Sequence, residues 1–168
     1  RHNDAQGLHR ATRAALGLAE KDSVESIIAT ACEDADGQAL RGAADALRQG
    51  TKPDRERAVK IHAWLKAKQK ERAGNFLVSY APIFLTKEGQ PRKEGSIITK
   101  KVREATPAAL EALMAEQDRL LGVMEKLKAV TVAAASRALI GVGVAILEHF
   151  EAAKKSLALL DYDDLIFK

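Results

Sequence analysis

The chain lacks most of what catalysis or secretion would require. Its one cysteine, Cys32, cannot form an internal disulfide, which fits a reducing, cytoplasmic compartment. With Ile27, Ile28 and Ala31 around it and no paired histidine, it reads as a buried structural thiol rather than a nucleophile. No glycine-rich loop ends in Lys-Ser/Thr to cradle a phosphate. Gly37 and Gly42 have the glycine spacing, but Ala43 and Ala44 stand where Lys and Ser/Thr would be needed, so that stretch reads as a helix. His2, His9, His62 and His149 are scattered, with no Cys or acid completing a ligand spacing. No serine sits in a nucleophile elbow; Ser136 and Ser156 fall inside a long helical pattern. No signal-peptide pattern opens the chain, and no apolar run is read as approaching a membrane span. The first residue is Arg1 rather than Met, as in a processed product or a piece of a longer protein.

Four prolines in 168 residues leave few helix breakers. Abundant Ala and Leu at three- and four-residue spacing predict an all-α fold. Expected helices run from Asp4 to about Leu18, from an N-cap at Ser23, from Gly37 to Leu47, and from a first turn holding Pro53 to about Ala67. Phe76, Tyr80 and Phe84 lie four apart and, with Trp64, read as core; the sharper alternative is a platform on which bases stack. Pro82 is expected to end a helix near Tyr80, with Phe84 folding back into the core. From Pro107 to about Leu157 the pattern predicts one long helix. Leu113, Gln117, Leu120, Met124, Leu127 and Thr131 form a seam for a neighbouring helix, and Gly141 and Gly143 mark a bend or a close helix contact. At 1.5 Å per residue this helix would be roughly 75 Å long, so part of it should project or bend away from a single subdomain.

Charge is uneven. Residues 52–103 hold fourteen Lys/Arg against five Asp/Glu, while the rest of the chain holds thirteen against eighteen. Such a basic middle suits a polyanion-facing surface, although solvated basic helices produce the same pattern. Thr86 to Thr99 is the irregular stretch, a loop or short hairpin punctuated by Gly89 and Pro91, with Ile97 and Ile98 tucking a return strand onto the helices. Lys87, Arg92 and Lys93 on this loop, with Lys100, Lys101 and Arg103 after it, are the candidate DNA-binding residues.

At the end of the chain, Asp161, Tyr162, Asp163 and Asp164 fit a helix start, with Asp161 as N-cap and two acids in the first turn. Three carboxylates in four residues also suggest a metal, but no histidine or further acid lies nearby to complete a shell.

The stretch from Leu159 to Ile166 resembles a segment that precedes the Walker B strand in superfamily 1 helicases of the UvrD/RecB type. Phe84 to Lys93, followed by Ile97 to Lys100, is similar to a stretch of the AddA family, the helicase-nuclease subunits of bacterial double-strand-break repair in their alphaproteobacterial form. The segment from Asp54 to Leu65 and the Ala-rich run into Glu151-Ala152-Ala153-Lys154-Lys155 fit the same spacing. The likeness covers roughly the last two thirds of the chain. It implies the 1B insertion of a first motor domain, with residues 161–168 beginning the next helicase element. It also implies that ATP, Mg and nuclease sites belong to the parent protein rather than to this stretch, leaving a non-catalytic piece without cofactors. The implied partners are duplex DNA, held weakly and without sequence preference ahead of the motor, the neighbouring motor domains, and an AddB-like subunit; no membrane is implied, and the setting is the nucleoid. Docking on the motor domains or the partner subunit through the long-helix seam is the alternative role.

Overall fold

The computed structural model describes residues 2–157, with side chains from Ala5 onward. Its fold is all-α, as expected. The helices are α1 (His2–Ala15), α2 (Val24–Glu33), α3 (Gly37–Leu47), α4 (Lys52–Lys66), α5 (Gln69–Asn75), α6 (Ala81–Phe84), α7 (Glu94–Ile97), α8 (Lys100–Ala105) and α9 (Pro107–Ser156). Asp161 to Asp164 lie outside the described residues.

Local chemistry sets several boundaries. Ser23 and Ser26 form a reciprocal capping box at α2, each side chain accepting the other's backbone N–H at 3.1 and 2.9 Å. Asp36 caps α3 by accepting from the amides of Gln38 and Ala39. Gly17, at φ +68°, ends α1 in the left-handed conformation a Schellman-type cap requires, with the Leu18 N–H returning to Arg13 O.

Asp54, fully buried, joins two helix starts. Its carboxylate accepts from the amide and hydroxyl of Thr51 before α4, and from the hydroxyl (2.7 Å) and amide (3.3 Å) of Thr99 before α8. Gly50 lies so close that a Cβ there would sit 2.8 Å from Asp54 Cβ and 2.7 Å from Val102 Cγ2. Only glycine fits that approach.

One expected boundary is corrected. Tyr80 does not end a helix: a π-helical turn, Phe76–Tyr80, leads directly into α6, which carries Pro82 in its first turn. The wider turn gives the chain a way past proline. The Ala81 N–H reaches back five residues to Phe76 O, in the register change that typically accommodates a residue unable to join the regular ladder. Packing favours this path, because it keeps Phe76, Tyr80 and Phe84 all buried. Tyr80 stacks on Trp64 with centroids 3.7 Å apart, and Phe84 meets Tyr80 edge-on at 5.5 Å. These rings are core, not a platform for bases. The expected return strand is also a helix: Ile97 closes the single turn of α7, and Ile98 beside it is extended, both fully buried.

The contacts separate two compact units: Lys21–Lys128, and Arg1–Glu20 with Ala129–Lys168. A fifty-residue helix rises about 75 Å, more than one core of this size can cover, and α9 contributes to both units. In the larger unit Leu113 and Leu120 are fully buried. Two polar residues join them inside. Glu116 accepts from the Tyr80 hydroxyl at 2.7 Å and from two nitrogens of Arg119, while Gln117 donates to Phe84 O and Arg92 O. Burial and the Glu116 charge push the Tyr80 phenol up, keeping it a neutral donor. Burial likewise pushes the Cys32 thiol up, as suits a structural cysteine.

In the smaller unit α9 behaves differently. From Ala129 to Leu147 the only charge is Arg137, and this helix is long and apolar enough, by length and composition, to cross a membrane. That corrects the expectation that no apolar run approaches a span; the apolar residues there are diluted by Ala, Gly and Thr. Only 6 % of the helix's most apolar window is buried.

Candidate nucleic-acid interface

The basic loop is held open by backbone bonds before any side chain is considered. Leu85 pairs with Pro91 in an isolated antiparallel bridge, and the Arg92 N–H donates to Phe84 O at 2.9 Å. Inside that ring, the Thr86 N–H donates to Gln90 O, and the Gly89 N–H to Thr86 O. Gly89, at φ +75°, takes the left-handed turn position that favours glycine. The result is hairpin-like, although the described residues contain no strand. Gln117 of α9 pins both ends from below, through Phe84 O at 2.8 Å and Arg92 O at 2.9 Å.

The six candidate cations divide on this scaffold. Lys87, Lys93, Lys100 and Lys101 are exposed. Arg92 is half-buried, and its Nε donates to Pro82 O and Leu85 O at 3.0 Å each, so it braces the loop it was expected to advertise. Arg103 is half-buried and pairs with Glu94, while Lys100 Nζ lies 3.7 Å from Glu104. The adjacent acid Glu88 stays charged: hydrogen bonding to Thr86 and to its own backbone holds its carboxyl below the usual range. Glu94 and Glu104 thus pair with two of the six cations and backbone carbonyls hold a third, Arg92, leaving Lys87, Lys93 and Lys101 exposed with no acid in contact among the described residues.

The fold adds cations that sequence reading did not group with the loop. A cleft of about 200 Å³ lies between the start of α4 and the loop, lined by Arg57, Lys60 and Arg92 with Glu56, Pro53 and Ser96 among its walls. Arg57 leans toward Asp54 at 3.4 Å, and Lys60 makes no ion pair among the described residues. Nothing local could have joined Lys60 to Arg92, since they are thirty-two residues apart; the fold brings α4, α6 and the loop around one cleft.

What this arrangement can do is bind anions. Basic side chains on a braced loop beside a small basic cleft meet phosphate oxygens with little reordering. Among the described residues no group of three His, Cys, Asp or Glu converges as a metal site would need. No family model, curated protein or solved structure matches the chain.

Proposed function

We propose that the chain is a non-catalytic accessory module of an AddA-like DNA helicase-nuclease, the 1B insertion of its first motor domain, contacting the phosphates of duplex DNA. The observation that carries this reading is the braced loop of residues 86–92 with the adjoining Lys93, which presents Lys87 and Lys93 to solvent beside the Arg57–Lys60–Arg92 cleft. The likeness of residues 84–100 and 159–166 to that family supports it. ATP, Mg and the nuclease carboxylates belong, on this reading, to the rest of the parent protein.

Duplex binding by the purified chain, followed by fluorescence anisotropy from low to moderate salt, tests the proposal. Each phosphate contact adds about −0.9 to the slope of log affinity against log salt, so Lys87→Ala with Lys93→Ala should flatten the slope by about 1.8. All duplex sequences should weaken alike, because phosphate contacts carry no base information. Thermal stability should stay unchanged, since both side chains are exposed. An unaltered slope in the double variant would remove the loop from the interface.

One observation favours a second reading, docking on motor domains or an AddB-like subunit. Leu139, Val142, Ile146 and Phe150 recur at three- and four-residue spacing on α9 and are all more than half exposed. Of the residues first expected to dock, Leu120 and Met124 pack in the larger unit's core instead, and Leu127 is buried. A docking role therefore moves about twenty residues along the helix.

A further inference from the structure

The smaller unit carries a cleft of about 620 Å³, lined from α1 by His9, Arg10 and Arg13, and from α9 by Arg137 and Ile140, with Glu20 as its one acid. Arg137 is the only charge in residues 129–147. On an apolar helix a lone guanidinium would be expected to find a carboxylate or to stand clear of other cations. Here it is gathered with two more arginines, and neither Arg10 nor Arg137 makes an ion pair among the described residues. His9 Nδ1 is buried and has no hydrogen-bond partner there either. Arg13 is engaged by the Ala19 carbonyl, so Arg10 and Arg137 are the two guanidiniums left for a ligand, against the one lining carboxylate of Glu20.

We infer that this cleft binds a phosphate-bearing anion. Guanidinium forks match phosphate oxygens in paired hydrogen bonds, and several converging on one space suit a multiply charged group better than a single carboxylate. The volume falls in the range of small-ligand sites of roughly 300–1,000 Å³, and Ala5, Ile140 and Gly141 give it an apolar wall. The phosphate can come from a nucleic-acid backbone or from a small free molecule; the recognition chemistry is the same. All of these residues lie outside the 86–103 loop, so this inference stands or falls separately from the loop's role.

The test uses the full chain with two probes, inorganic pyrophosphate and a short DNA duplex, each titrated by calorimetry and by NMR of the His9 ring, assigned by its loss in His9→Gln. Arg10→Gln with Arg137→Gln is the variant; both side chains are exposed and the fold should be kept, as far-UV circular dichroism would verify. If pyrophosphate moves the His9 resonances and binds the variant roughly tenfold more weakly, the cleft takes small phosphates. If only the duplex moves them, and the variant flattens its salt slope by about 1.8, the phosphate is that of a nucleic acid. If neither probe moves His9, or the variant binds both as tightly as the parent chain, the inference fails. The His9 readout is taken on the parent chain, with His9→Gln serving only for assignment, and decides the matter even if the double variant misfolds.

Discussion

Two stretches of α9 carry the same apolar rhythm and meet opposite fates. Leu113 and Leu120 are buried under the larger unit's helices, whereas Leu139, Val142, Ile146 and Phe150 are 51 to 73 % exposed. Periodicity announces a face; it does not say what covers it. The buried stretch differs in a second way, because its stripe includes Glu116 and Gln117, each tied to a partner on the α5–α6 segment or the loop. Those polar ties fix which neighbour the seam accepts and at what register. The exposed stripe has no comparable polar ties among the described residues.

The largest effects should separate these two stretches. Leu113→Ala or Leu120→Ala removes a fully buried side chain and should cost about 2–5 kcal/mol. Leu139→Ala or Ile146→Ala should change stability by no more than about 0.5 kcal/mol, since their side chains are already largely in water. Urea unfolding followed by circular dichroism reads both. A cost at Leu139 equal to that at Leu120 would mean that the exposed stripe is covered in solution, by a second copy or by residues outside 2–157.

Acid should act on the larger unit through Asp54. Burial alone would raise its pKa, but hydrogen bonds from Thr99 and Thr51 outweigh that and lower it below the usual aspartate value. A carboxyl with a depressed folded pKa contributes stability that is fully present above its unfolded pKa, about 3.9, and is lost as pH falls through the folded value. The acid limb below pH ~4 should therefore be partly Asp54's, and Asp54→Asn should flatten it. At neutral pH the same variant should cost about 2–3 kcal/mol, from a weakened helix cap and the lost charged acceptor for Thr99. An acid limb of unchanged steepness would assign the loss to other carboxylates.

These contrasts also show what the sequence could and could not reveal. The N-cap of α2 at Ser23, proline in the first turn of α4 and the unbroken run of α9 were legible because their determinants lie within four residues of each other. The passage through Pro82 was not, because the π-helical turn is favoured by burying Phe76, Tyr80 and Phe84 together, a tertiary effect that no local proline rule contains. The candidate interface was half legible. Charge density pointed to the loop, but only packing reveals that Arg92 and Arg103 spend charge on internal partners while Arg57 and Lys60 line a cleft with Arg92. The move of the candidate docking face from Leu120 to Leu139 has the same cause: identical spacing, different neighbours.

The smallest effect probes whether the two stretches unfold together. Gly122 and Gly143 each lie in α9, one in each compact unit, and a Cβ built at either meets no described atom within 4 Å. Gly141 and Gly143 were expected to mark a bend or a close helix contact, and a Cβ at either meets no neighbouring element within 4 Å among the described residues. Replacing Gly122 or Gly143 with alanine should therefore stabilise the helix by up to about 1 kcal/mol, through backbone entropy alone. If the chain unfolds as one cooperative system, both substitutions raise the thermal midpoint by a similar amount. If the units melt separately, Gly122→Ala raises the transition seen by Trp64 fluorescence, while Gly143→Ala moves only the helical signal of the smaller unit. Trp64 lies in the larger unit's core against Tyr80, so its emission reports that unit alone. A Trp64 transition that shifts with Gly143→Ala as far as with Gly122→Ala would show that α9 couples the two units into one folding reaction, despite the contrast in burial along its length.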